Sequence, residues 1–154
     1  KIKGKIMNHI NVKIKKLNEK AKMPTYGTEF SAGADLYACL DKSVTIAPGE
    51  TVFIKTGLSM EVGEGFGIFI FARSGLSIKQ GLAPANKVGV VDSDYRGEVV
   101  VALHNHDSVE RTVENGDRVA QMVVLPYYKA KFEEVDALSD TIRGVGGFGS
   151  TGKK

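Results

Sequence analysis

The chain has 154 residues, 42% of them hydrophobic and 25% charged, with a formal net charge of +3. That length suits one domain with a real core, and the mild charge, with no basic stripe interleaved with aromatics, argues against nucleic acid as a partner. No apolar run approaches the roughly 18 residues of a membrane span, no secretory h-region is present, and the single cysteine, Cys39, excludes an internal disulfide, so a cytoplasmic setting is expected.

Residues 1–10 read as an N-terminal extension. Met7 is expected to be the natural start, with residues 1–6 an expression remnant. Asn11 to Leu17 alternates apolar and basic residues (Val12 and Ile14 against Lys13 and Lys15), which predicts a strand. Lys20 to Phe30 contains Pro24 and Gly27 and reads as loop. Ser31 to Cys39 is a short apolar segment carrying one buried-looking carboxylate, Asp35, and Cys39 itself reads as a small buried residue. Val44–Ile46 is a brief strand, Pro48-Gly49 a turn, and Thr51 to Val62 a strand or strand pair interrupted at Gly57. Gly63, Gly65 and Gly67 lead into Ile68–Phe71, which reads as a strand buried on both faces, ended by Arg73-Ser74-Gly75. Leu76 to Gln80 has room for one helical turn before Gly81.

The chain is organised around Gly89 to Glu98, Gly-Val-Val-Asp-Ser-Asp-Tyr-Arg-Gly-Glu. Apolar runs lead in (Val88, Val90, Val91) and out (Val99 to Leu103), so the pattern predicts a β-hairpin with a polar turn. A plain turn needs neither the two carboxylates at its tip (Asp92, Asp94) nor the tyrosine and arginine (Tyr95, Arg96) beside them. A turn at His104–Ser108, a strand at Arg111–Val113, a strong turn signal at Asn115-Gly116-Asp117, a strand from Arg118 to Leu125 closed by Pro126, and a last strand at Phe132–Val135 complete the reading. About nine short strands with regular turn signals and no amphipathic helix predict an all-β domain over 11–140, a sandwich or jelly roll.

Residues 141–154 differ in kind. Arg143 to Gly152 is too glycine-rich to pack a core, and ordering it is costly, so a flexible arm is expected. Its arginine, its phenylalanine, its two hydroxyls and its unhindered N–H groups suit gripping phosphates and stacking on a base. Gly147 to Lys154 nearly matches the phosphate-binding pattern G-x-x-x-x-G-K-[ST], but Lys154 stands where the hydroxyl belongs and no helix follows, so that reading is rejected.

Five segments (Ala32–Ala38, Arg73–Gly75, Gly89–Gly97, Gly116–Gln121 and Arg143–Gly152) carry the unusual residues. Their order and spacing resemble the five motifs of the homotrimeric deoxyuridine triphosphatases, from about Val12 onward. The resemblance implies jelly-roll subunits in a threefold trimer with C-terminal arm exchange and active sites at subunit boundaries. It also implies hydrolysis of dUTP to dUMP and pyrophosphate by water attack on the α-phosphorus, which keeps uracil out of DNA and supplies dUMP for dTMP synthesis. Asp92 would be the general base, and Tyr95 would lie against the deoxyribose and crowd out a 2′-hydroxyl. Asp94 is expected to form the turn or an interface. Uracil would be read by backbone at Val90, Val91 and Val100, with the Asn86 side chain assisting. Arg73, Ser74 and the Gly75 N–H would hold phosphates. Mg²⁺ would ride on the substrate phosphates through water near Asp35 and Gln121, with no direct protein ligand. Asp117 and Arg118 would brace the site. From the arm, Phe148 would stack on uracil, while Arg143, Gly149, Ser150 and Thr151 would engage the triphosphate.

One departure is Ala72, where the family often has proline before the arginine. The nearest rival is a dCTP deaminase, which would carry a catalytic glutamate five residues after Gly97. This chain has Ala102 there, which cannot move a proton. A non-catalytic nucleotide-binding module would be expected to have lost the base or the arm, and both are present.

Overall fold

The computed structural model describes residues 9–147. Eleven strands and one short helix follow in order: β1 (Val12–Lys16), β2 (Thr25–Tyr26), β3 (Ala34–Tyr37), β4 (Val44–Ile46), β5 (Thr51–Val62), β6 (Phe66–Phe71), α1 (Ser74–Gln80), β7 (Leu82–Pro84), β8 (Gly89–Val91), β9 (Glu98–Asn105), β10 (Arg111–Val113) and β11 (Arg118–Pro126). They form a four-stranded sheet ordered β1-β5-β9-β7, a five-stranded sheet ordered β2-β3-β11-β6-β8, and a small β4-β10 pair. The described pairings are all antiparallel.

Alternation places Leu36, Ile68, Ile70 and Met122 of the five-stranded sheet against Ile54, Leu58, Leu82, Val101 and Leu103 of the other, in one continuous core. Burying each such side chain stabilises the fold by about 1.5–3 kcal/mol. The result is the all-β jelly-roll sandwich that the strand spacing predicts. Cys39 is buried as expected.

Four local expectations change. Lys20 to Phe30, read as loop, contains the two-residue strand β2, which pairs with β3 through Thr25↔Asp35 and Tyr26↔Ala34. The predicted hairpin is instead a corner between sheets: β8 pairs with β6, β9 pairs with β5 and β7, and β8 and β9 do not pair with each other. Flanking apolar runs look the same whether they pair with each other or with separate neighbours, so composition cannot separate the two cases. Ile68–Phe71 is buried on one face only, Ile68 and Ile70 facing the core while Phe69 and Phe71 are half-buried on the other side. Phe132–Val135 forms no strand: among the described residues regular structure ends at Pro126, and Tyr128, Phe132 and Leu138 stand almost fully exposed. The predicted helical turn is present and longer than expected. Its end is set by Gly81 at φ +65, whose N–H donates to the Leu76 carbonyl.

Candidate active site

The chain leaving β8 makes a tight turn at Asp92, closed by the Tyr95 N–H donating to the Asp92 carbonyl at 3.2 Å. Arg96 folds back over it, its Nη1 donating to the Ser93 carbonyl at 2.7 Å and the Tyr95 carbonyl at 3.0 Å. The Tyr95 hydroxyl donates to the Glu98 carbonyl at 3.1 Å. Its ring lies over Gly97, where any Cβ would collide with it. Asn86 sits in the bend between β7 and β8, before Lys87, which adopts a positive φ of 65°. These elements enclose a cavity of about 260 Å³ lined by Asn86, Val90, Asp92, Tyr95, Glu98 and Val100, among others. Asp92 is exposed, and Tyr95 shows 46% of its surface. The cavity therefore gathers Asp92, Tyr95, Asn86, Val90, Val91 and Val100, six positions singled out in the sequence. Glu98 also lines it, and nothing in the sequence marked that residue.

A second group assembles on the solvent-facing side of the five-stranded sheet. Asp35, Gln121 and Phe71 are direct cross-strand neighbours on β3, β11 and β6. Arg73, two residues beyond Phe71, donates from Nε to Asp35 Oδ1 at 2.6 Å. Arg118 reaches Asp35 Oδ2 at 3.4 Å. A register shift between Arg118 and Ala120 explains how Arg118 and Gln121, three residues apart, share a face that strict alternation would divide. Gln121 donates from Nε2 to the Ala72 carbonyl at 2.9 Å and lies across Gly33, where a Cβ would strike its amide. Together with Ser74 and Gly75 these residues line a cavity of about 410 Å³. Asp117 accepts the Glu114 N–H at 2.8 Å and so closes the turn at Gly116.

Within the chain the two groups line separate cavities, which share no lining residue. The Ile68↔Val91 register sets Asp92 level with Gly67, whereas Asp35 and Gln121 are level with Phe71. That offset of four residues is about 13 Å along the strands. Arg143 lies outside both cavities, in a local turn where its Nε donates to the Gly146 carbonyl at 2.9 Å. Phe148, Gly149, Ser150 and Thr151 lie outside the described residues. Among the described residues no cluster of three His, Cys, Asp or Glu side chains is placed to hold a metal ion. Asp35 has a guanidinium on each of its carboxylate oxygens. No helix among the described residues is long and apolar enough to cross a membrane.

The architecture defines a class, the jelly-roll β-sandwiches. Comparison with known proteins places the chain within it. A family model described as dUTPase matches residues 19–152. The chain is 53% identical over 149 residues to a deoxyuridine 5'-triphosphate nucleotidohydrolase of Desulfitobacterium hafniense, covering 95% of this chain and 99% of that one. It is 44% identical over 146 residues to the enzyme of the same name from Hahella chejuensis, covering 94% and 96%. Its fold matches the Staphylococcus bacteriophage 80alpha dUTPase solved with dUpNHpp at a TM-score of 0.84 and 25% identity, over 92% of this chain and 98% of that one. The chain belongs to the dUTPase family.

Proposed function

We propose that this protein is a dUTP diphosphatase that splits dUTP into dUMP and pyrophosphate, with Asp92 as the general base. The observation that carries the reading is the corner cavity. It combines an exposed carboxylate, a tyrosine ring and strand backbone in a space of about 260 Å³, in a member of a family whose relatives are named for this reaction. Asp92 takes a proton from a water as the water's oxygen bonds to the α-phosphorus. The bond from that phosphorus to the bridging oxygen breaks, and pyrophosphate leaves with the electron pair. Tyr95 packs on the deoxyribose, leaving no room for a 2′-hydroxyl. Backbone at Val90, Val91 and Val100, with Asn86, reads the uracil edge, and a hydrogen-bonding site of this kind rejects mismatched bases by about 10⁴–10⁵.

Arg73, Ser74 and Gly75 bind phosphate oxygens, Asp35 and Arg118 orienting the Arg73 guanidinium. Because Asp92 stands about 13 Å along the strands from the level of Asp35 and Gln121, and the nucleoside and phosphate groups line separate cavities, the complete site is read as drawing them from different copies. The homotrimer implied by the resemblance supplies that arrangement, with residues 141–154 as an exchanged arm closing the site through Arg143, Phe148, Gly149, Ser150 and Thr151. Mg²⁺ on the triphosphate, hydrated near Asp35 and Gln121, would screen the phosphate charge. A solved dUTPase from phage phi11, similar in fold at a TM-score of 0.76 and 22% identity over 84% of this chain and 99% of that one, is described as coordinating a structural Mg(II) ion. Pyrophosphate release measured with Mg²⁺ on dUTP, dCTP, dTTP and UTP tests the proposal. dUTP is expected to be consumed and the others left nearly untouched. Equal turnover of UTP would remove the role given to Tyr95, and no turnover of dUTP would remove the function.

A further inference from the structure

The strand forming one wall of the corner cavity is gripped by an irregularity in its neighbour. Between the pairs Lys55↔Val100 and Ser59↔Glu98 the register shifts, so β5 advances four residues (55 to 59) while β9 advances two (100 to 98). Gly57 sits in this bulge at φ +68, and a Cβ there would come within 2.8 Å of the Ala21 Cβ and 2.9 Å of the Cys39 sulfur, so only glycine fits. Its carbonyl accepts the Leu17 N–H at 2.7 Å, and its own N–H donates to Glu98 Oε1 at 2.8 Å. On one side, the fully buried Thr56 donates its hydroxyl to the Val99 carbonyl at 2.6 Å and accepts the Leu58 N–H at 3.3 Å. On the other, the buried Ser59 donates its hydroxyl to the Arg96 carbonyl at 2.7 Å.

Where the ladder fails, the Thr56 and Ser59 hydroxyls thus hold the backbone of residues 99 and 96, and the Gly57 N–H holds the Glu98 side chain between them. These are the residues between the Asp92–Tyr95 turn and the wall at Val100. We propose that Thr56 and Ser59 are positioning residues for the nucleoside half of the site. Neither reaches the cavity, but together they set where the backbone of residues 96–99 stands relative to Asp92. This rests on the dUTP reading above. In that reading the base is recognised by backbone groups, whose placement tolerates little error: a displacement of about 1 Å can cost about 100-fold. Thr56 is fully buried, and its hydroxyl is satisfied in both directions. A valine of the same shape would remove the grip without leaving a hole.

The test uses the full chain and three variants, Thr56→Val, Thr56→Ser and Ser59→Ala. kcat and KM are measured on dUTP and dCTP, and amide hydrogen exchange is followed across residues 95–100. Thr56→Val is expected to raise KM for dUTP by about tenfold and to lower the preference for dUTP over dCTP by a similar factor, with a smaller change in kcat. Exchange at 95–100 should speed by about tenfold. Thr56→Ser, which keeps the hydroxyl, should stay within about threefold of the parent, and Ser59→Ala should move the same quantities in the same direction by about threefold. A folded Thr56→Val protein with the parental KM and preference overturns the proposal. So does a Thr56→Ser protein as impaired as Thr56→Val, because the hydroxyl would then not be the group that matters. Should Thr56→Val not fold, Ser59→Ala decides, and parental values there overturn it. A parent chain inactive on dUTP would overturn the reading of function instead, and hydrogen exchange would then judge the brace alone.

Discussion

The two halves of the site are held in place by different means. The corner from Asp92 to Val100 is fixed mainly through its own backbone, by turn bonds at its tip and by Thr56, Gly57 and Ser59 beneath it. The row of Asp35, Arg73, Arg118 and Gln121 is fixed through side chains, with one carboxylate shared between two guanidinium groups. A backbone-built wall suits discrimination among bases, because its donors and acceptors cannot rotate away. A partly neutralised arginine pair suits phosphate, because the carboxylate holds the cations in place while leaving a net positive charge to receive the ligand. Substitutions in the first region should therefore alter specificity, and those in the second should alter affinity for the phosphate chain.

The largest expected effect comes from Asp92→Asn, which should lower kcat on dUTP by about 10²–10⁴ while retaining nucleotide binding. Single-turnover kinetics with titration by a non-hydrolysable analogue checks both, and normal turnover would place the base elsewhere. Removing residues after Asp140 should leave a folded oligomer by sizing and cost about 100-fold in turnover, since neither half excludes water without a cover. Arg73→Ala should raise KM for dUTP by about 10–100-fold and leave inhibition by deoxyuridine unchanged. If deoxyuridine inhibition weakened equally, the division into two halves would fail. Tyr95→Ala should act the opposite way, improving the relative use of UTP by about tenfold with little change in pyrophosphate inhibition.

The smallest effect concerns Glu61, which joins Lys13 at 2.8 Å to the back of the corner through Arg96 at 3.8 Å. The hydrogen bond from Lys13, then its charge and more weakly that of Arg96, hold the Glu61 carboxyl below its ordinary value. A lowered folded pKa means that its stabilisation is present above the unfolded value of about 4.3 and is lost as pH falls below it. Glu61→Gln should accordingly reduce the loss of Tm between pH 6 and pH 3 by about a degree or two, small because the pair is exposed.

Much of this was legible in the residues. Alternation marked β1, and short apolar runs bounded by turn residues marked β10 and β11. The order and spacing of the five segments that carry Asp35, Arg73, Asp92, Tyr95 and the arm resembled a nucleotide-hydrolysing family before any contact was known. The reading failed where a pattern had two solutions. The valines flanking Asp92 are as compatible with one hairpin as with two sheets, and only long-range pairing with β6 and β5 chose between them. Phe132–Val135 has the composition of a strand but no strand partner among the described residues, and strand composition does not supply an edge to pair with.

The sequence by itself determined the class of fold and the inventory of reactive groups, because hydrophobic period and side-chain chemistry are local properties. Tertiary structure alone decided which groups meet. The bulge before Ala120 turns Arg118 and Gln121 to one face, and the bulge at Gly57 puts Thr56 and Ser59 under the corner. It also puts Asp92 and Arg73 on separate cavities. The reason is physical: a register is a property of two strands together, and a single extra residue in one of them changes which side chains share a face.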